Sequence, residues 1–363
     1  MPCATARCRY RAATCPHWWP TDDGGPRMTA QRHSRIGLVG CGEVAGYGHL
    51  PALLRTEGLE LVGMCDVSTD RLAAAPVPAG VARCTSLDTM PDLDALVVTS
   101  PAGVHAEHVG WAARRGIPVL CEKPIALDEA TSIEMMERME AAGTPLWLAF
   151  TYRFSPVARR IHELVATGAV GEVRALRMVF LWDLHGAFED RVARTGVNQR
   201  RVGRMLEGGP LVDCGVHQID LARWWLGSDL QVDHATGVWF DEIDGVDAPE
   251  HVTTHLSGGG ARVLVDISFG YGHRSPARLP TFTYEVIGTD GVIRYRREER
   301  DFVLIDGDGR HDLAWAHEKS FEGMYTEFAA ALHGEEHALP TALDGLAATR
   351  LALDATARAV GSR

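Results

Sequence analysis

Short apolar runs alternate with amphipathic, helix-length stretches through the first 150 positions. Residues 35–39 read as a buried strand that leads at once into Gly40-Cys41-Gly42, and a helical segment follows over about 44–55. Residues 59–65, 94–99, 118–121 and 145–150 are further strands, apolar and rich in β-branched side chains. Helical periodicity covers 105–115, stopped by Gly116, and 127–142, with Asp128 as N-cap. This alternation predicts a parallel, doubly wound sheet.

The pattern changes after about Thr151. A helix is expected over 156–166, followed by longer strands at 173–181, 230–240, 261–269, 281–288 and 291–296. Ser257-Gly-Gly-Gly260 and Gly288-Thr-Asp-Gly291 read as hairpin turns, and two helices, 323–332 and 342–360, close the chain. The expected fold is α/β: an N-terminal Rossmann domain over 35–150, and a C-terminal α/β domain over 151–363 with a broad, largely antiparallel open sheet. Residues 1–34 are expected to form a tail outside both, with Met28 an alternative start, so a chain shortened to begin there should still fold. The exposed face of so broad a sheet needs cover, which suggests a homodimer or homotetramer.

Composition narrows the partners. At 46% hydrophobic and 23% charged, the 363 residues support two ordinary cores. The formal net charge of −12 argues against nucleic acid or an anionic membrane as partner. No run of 18 apolar residues marks a membrane span, and residues 1–27 lack the apolar segment of a secretion signal, so a reducing cytoplasm is the expected location. The spacing Cys3, Cys8, Cys15, His17 fits no usual zinc pattern, and no metal site is expected.

The first chemistry sits at Gly40-Cys41-Gly42-Glu43-Val44-Ala45, a G-x-G-x-x-A fingerprint between a strand and a helix. Gly40 permits the turn, Gly42 admits the pyrophosphate, and Ala45 allows close packing. Asp66 follows 24 residues after Gly42 at a strand end, where a carboxylate accepts from ribose hydroxyls and repels a 2′-phosphate. With Val67 and Ser68 next, rather than Arg, NAD is expected over NADP.

The second chemistry is split. Glu122-Lys123-Pro124 follows a buried strand, and a lysine there faces the ligand crevice. Asp213 and His217, four apart, share a helix face that Asp220 extends. A histidine beside a carboxylate serves as an acid or base near neutral pH. A capped helix with a satisfied His–Asp pair reads equally well, and a metal at Asp213 and His217 lacks a third ligand.

Together these residues resemble the glucose–fructose oxidoreductase, inositol dehydrogenase and rhizopine-catabolism family (Gfo/Idh/MocA). The fingerprint with His49, Asp66, Ser100-Pro101 with His105, Glu122-Lys123-Pro124, Tyr152-Arg153-Phe154 and Gly208-Gly209…Asp213…His217…Asp220 carry the resemblance from about Arg35 to the final helix. It implies NAD-dependent hydride transfer at a sugar, inositol or polyol carbon. Lys123 would polarise the hydroxyl, His217 would take its proton, and Asp213 would orient substrate and tune His217. Ser100, Pro101, His105 and Glu122 would lie along the cofactor, and Tyr152, Arg153 and Trp182 beside the substrate. Two departures are the Ala102 and Thr151 positions, where the family often carries Asn. The Arg-rich segment 182–207 either binds a carboxylate or phosphate or is a solvated loop. Two alternatives stay open: a glycosidase that oxidises its substrate transiently with NAD, and a regulator that has lost the chemistry.

Overall fold

The apolar runs of the first 150 residues pair side by side. In the computed structural model, which describes residues 33–182, 199–240, 245–270 and 280–363, they form a six-stranded parallel sheet. Its strands are β1 (Ser34–Val39), β2 (Leu59–Cys65), β3 (Ala82–Cys84), β4 (Ala95–Val98), β5 (Val119–Cys121) and β6 (Leu146–Leu148), in the order β3-β2-β1-β4-β5-β6. This is the doubly wound order, whose switch point lies between β1 and β4. The connecting helices are α1 (Leu50–Leu53), entered through a π-helical turn at Ala45–His49, α2 (Thr69–Ala74), α3 (His105–Ala113) and α4 (Glu129–Ala141). Asp128 caps α4, its side chain accepting from the Thr131 N–H at 2.8 Å. The three-residue β3 and six-residue α2 are too short to leave a periodic signal and were not expected. The expected tail, apart from its last two residues, lies outside the described residues; Ser34 already belongs to β1.

The second sheet has eight strands in the order β14-β13-β12-β11-β7-β10-β9-β8. They are β7 (Val173–Leu181), β8 (Gln231–Val238), β9 (His251–Gly258), β10 (Ala261–Ser268), β11 (Thr281–Gly288), β12 (Gly291–Arg296), β13 (Asp301–Asp306) and β14 (Gly309–Asp312). Only β7 and β10 run parallel. The expected hairpin at Ser257–Gly260 joins β9 to β10 through Gly259 and Gly260, both at positive φ, as a tight two-residue turn requires. Among the described residues, β9, β13 and β14 are strands beyond those expected.

Helices α5 (Pro156–Ala166), α6 (Gln199–Leu206), α7 (Val216–Leu226), α8 (Phe321–Leu332) and α9 (Ala342–Gly361) complete the fold. Alternate residues of the second sheet, Leu176, Met178, Val263, Val265, Phe282, Tyr284 and Tyr295 among them, are buried on the face that α7 covers. Helix α8 departs from the expected division at residue 150. Its Met324, Tyr325 and Phe328 pack in one core with Ile36, Leu38, Val97, Leu120 and Trp147, so the chain returns to cover the first sheet. Leu148 N–H donates to the Pro340 carbonyl at 2.9 Å and fixes the return.

No described helix is long and apolar enough to cross a membrane. The free thiols of Cys65, Cys84, Cys121 and Cys214 are buried in the role of small apolar groups.

Phe328 has no exposed surface, and its ring meets Trp147 edge-on with centroids 5.9 Å apart. Phe328→Ala should lower stability by about 3–5 kcal/mol, the cost of a large buried cavity, read by denaturant unfolding.

Candidate active site

The turn after β1 stands at the carboxyl ends of the parallel strands. Gly40 has φ +95°, and a Cβ there would lie 2.4 Å from the Ser100 backbone nitrogen. Only glycine lets these two loops meet at the switch point. A Cβ on Gly42 would meet nothing within 4 Å, so the space before the following helix is open to a ligand. Asp66 is buried at the end of β2, its carboxylate accepting from the N–H groups of Cys41 at 2.7 Å and Ser68 at 2.8 Å. The open cradle and the fixed carboxylate fit a dinucleotide, whose pyrophosphate Gly40, Gly42, Glu43 and Val44 could hold and whose ribose Asp66 could accept from. The sequence reading missed Arg71, whose guanidinium reaches Asp66 at 3.9 Å from α2.

Beyond β4, Ser100 Oγ pairs with His108 Nδ1 at 2.9 Å, and Pro101 is exposed. His105 is placed differently from the expectation that it lines the cofactor. It is buried, with Nε2 against the Ser100 carbonyl at 2.9 Å and Nδ1 against the Pro124 carbonyl at 3.1 Å. It ties the Ser100 loop to the Lys123-Pro124 turn, whose peptide bond is cis. Burial holds its pKa below the usual histidine value.

Glu122 is buried at the end of β5. Oε1 pairs with His49 Nε2 at 2.8 Å, and His49 Nδ1 pairs with the Tyr325 hydroxyl at 2.9 Å. Glu122 Oε2 accepts from the Lys123 N–H at 3.1 Å, so this chain from α8 fixes the backbone that carries Lys123. Burial raises the Glu122 carboxyl, but the hydrogen bond and charge of His49 prevail and leave it low.

Lys123 Nζ crosses to the π-helical turn Leu211–Gly215, which runs directly into α7. It donates to Asp213 Oδ1 at 2.9 Å and to the Asp213 carbonyl at 2.6 Å. The other carboxylate oxygen pairs with Arg204 Nη1 from α6. Burial disfavours the Asp213 charge, yet the Lys123 ammonium and the Arg204 guanidinium outweigh it and hold the carboxyl far below its usual range. Burial likewise opposes the Lys123 ammonium, and Asp213 reverses the balance, so the lysine stays charged. Arg204 also lies over the Trp182 ring, at 5.3 Å from its centroid, which brings Trp182 to the rim of this cluster. Of the Arg-rich segment, 183–198 lies outside the described residues.

His217 opens the next turn. Its ring stacks on Tyr152, with centroids 4.1 Å apart and planes within 5°. Its Nδ1 is buried without a hydrogen-bond partner. Burial lowers the His217 pKa most, the charges of Lys123 and Lys319 lower it further, and Asp213 opposes them; the result is a neutral imidazole well below the usual histidine value. The opposed effects of Lys123 and Asp213 are legible in sequence, whereas burial and Lys319 are not.

Two expectations are corrected. Arg153 does not turn toward His217 with Tyr152. Its guanidinium forms a bidentate pair with Asp220, at 2.7 and 2.6 Å, and reaches Asp344 at 3.1 Å. A planar fork opposite a buried carboxylate is spent on that pair, so Arg153 anchors the Tyr152 turn to α7 and α9. Asp220 therefore faces Arg153, not the Asp213 cluster. The sequence reading also missed Glu207, which accepts from the Ala102 N–H at 3.3 Å where the resemblance leads one to look for an amide. Burial and the Asp213 charge raise its pKa.

Comparison with known proteins agrees with this fold. Residues 34–150 match the model of an oxidoreductase family with an NAD-binding Rossmann fold, and residues 158–294 match the GFO/IDH/MocA C-terminal domain. Inositol 2-dehydrogenase 4 of Saccharopolyspora erythraea is 30% identical over 74% of this chain and 78% of its own length. D-apiose dehydrogenase of Paraburkholderia graminis is 29% identical over 79% and 76%. The crystal structure of an oxidoreductase domain protein from Kribbella flavida shares the fold, with TM-score 0.76 and 20% identity over 92% of this chain and 98% of that one. The two-sheet fold, the dinucleotide cradle and these matches make the chain a member of the Gfo/Idh/MocA family of NAD-binding oxidoreductases.

Proposed function

We propose that this chain oxidises one CH–OH group of a sugar, inositol or related polyol. The carrying observation is the Lys123–Asp213 pair set beside a neutral, buried His217. Residues 35–150, completed by α8, hold the cofactor, and the second sheet with its helices holds the substrate. Bound NAD would supply a hydride acceptor.

The chain's own residues do the rest. Alcohol oxidation needs a base as the C–H bond breaks. With Nδ1 buried, Nε2 of His217 is the atom left to take the hydroxyl proton. Lys123, held charged by Asp213, donates to the reacting oxygen and favours the developing alkoxide. Asp213 aims that ammonium and is aimed in turn by Arg204. Tyr152, stacked on His217, fixes the imidazole plane, and Trp182, with Arg204 over its ring, forms the aromatic rim on the substrate side. The inositol and apiose dehydrogenases above support the substrate class.

His217→Ala and Lys123→Ala should each lower kcat by at least roughly 10²-fold while leaving NAD affinity within a few-fold. Near-normal turnover by His217→Ala in steady-state kinetics would remove this base from the reading. The pH profile gives a second test. The free-enzyme base is depressed by burial and by two lysines, so the acid limb of kcat/KM should fall below the ordinary histidine pKa of about 6.5. A limb at or above that value contradicts it. At the cofactor end, Asp66 should select NAD. Asp66→Ser would also release Arg71 toward a 2′-phosphate, raising the NADP/NAD ratio of kcat/KM by about tenfold or more, the worth of one charge-assisted contact. An unchanged ratio would put the selection elsewhere.

A further inference from the structure

Lys319 lies in the irregular segment between β14 and α8, next to the helix cap Ser320. The Ser320 N–H donates to the Thr151 carbonyl at 3.3 Å, so this backbone is tied to the turn that carries Tyr152. The Lys319 ammonium stands over two rings: Tyr152 at 5.4 Å from the centroid and Tyr47, beside the dinucleotide cradle, at 6.0 Å. Tyr152 is the ring that stacks on His217, and Lys319 is near enough to act on both His217 and Cys214. The lysine is half-buried, yet among the described residues it has no carboxylate partner. Of the neighbouring acids, Glu322 pairs with Arg55 at 2.5 Å, and Glu318 accepts from Arg297 at 2.9 Å through one oxygen while its other oxygen is buried without a hydrogen-bond partner, and neither pairs with Lys319.

The local charge balance follows. Lys123 and Arg204 already share the single carboxylate of Asp213. Glu207 is engaged with the Ala102 N–H at 3.3 Å, and burial and the Asp213 charge raise its pKa. Lys319 adds a further positive charge, in a chain whose formal net charge is −12. A partly desolvated ammonium without a partner is costly, and an anionic ligand removes that cost. A neutral polyol gives Lys319 nothing to neutralise.

We infer that Lys319 forms an anion subsite beside His217 and that the substrate is a polyol bearing a carboxylate or a phosphate ester. The inference rests on the dehydrogenase reading and narrows its substrate class. The pyrophosphate of the cofactor is a different anion, which the Gly40–Gly42 turn would hold.

The test uses the full chain with D-gluconate, D-glucitol 6-phosphate and D-glucitol as probes, and Lys319→Met and Lys319→Arg as variants. In calorimetric titration of the NADH-loaded protein, at least one of the two anions should bind at least roughly tenfold more tightly than D-glucitol, the worth of one charge-assisted contact. Lys319→Met should abolish that margin, and Lys319→Arg should retain most of it. The preferred anion identifies carboxylate or phosphate. NAD affinity should stay within about twofold in both variants, since Asp66 and the glycine turn are untouched; a large loss would assign Lys319 to the cofactor and overturn the inference. Equal binding of all three probes, or a margin that survives in Lys319→Met, overturns it as well and leaves the dehydrogenase reading standing. The converse is separable: Lys319-dependent anion binding with no NADH formed from any polyol would support the subsite and count against the dehydrogenase reading.

Discussion

One ion pair joins the two halves of the site. Lys123 belongs to the first sheet, Asp213 to the helix laid on the second, and 90 residues separate them. Neither charge would be tolerated so deeply alone, because a buried ion without its partner costs several kcal/mol. Folding of the first sheet therefore delivers a lysine that only the second can neutralise. Everything else at the site is arranged around this contact. The Tyr325–His49–Glu122 chain holds the lysine's backbone from one side, and Arg204 occupies the far oxygen of Asp213 from the other.

Burial above all keeps His217 neutral, and the same pair acts on it in opposite senses, Lys123 lowering its pKa and Asp213 raising it. Its ring sits among apolar and aromatic neighbours, with the positive charges of two lysines in reach and a carboxylate already spent on other partners. A protonated imidazole is disfavoured there, so the resting ring is unprotonated, the form in which the proposed base must start. The geometry thus separates two duties that one His–Asp pair performs in many sites. Asp213 serves the lysine first and the histidine only through space.

Much of this arrangement was legible in sequence, and the exceptions share a cause. The strands of the first sheet, the glycine turn, Asp66 and Lys123 leave local signals, because each sits at a strand end whose position the apolar runs dictate. Asp213 and His217 carry a helical spacing. Lys319 leaves none, and Arg204 and Glu207 fall in the 182–207 segment, which reads as either an anion binder or a solvated loop and gives no sign of the partners they take. They become site residues only because a helix, an irregular segment and a turn converge on one point, and a charged residue in each reads as solvated surface until that convergence is known. Arg153 errs in the opposite direction. Its position beside Tyr152 suggests a ligand contact, but adjacent residues on a turn point to different sides, and the side it faces holds Asp220 and Asp344.

The return of α8 to the first sheet bears on how the chain is made. On a ribosome the six parallel strands are complete by Leu148, yet one of their apolar faces waits for Met324, Tyr325 and Phe328. Roughly 170 residues separate the two, which at about 5–20 residues per second is on the order of ten seconds or more of synthesis. Until then Ile36, Leu38, Val97 and Trp147 have only the part of their cover that Leu50, Leu53 and Leu72 supply. The first sheet thus keeps an incomplete apolar face over that interval, and its last contacts are of long sequence separation, the kind that costs most loop-closure entropy in folding.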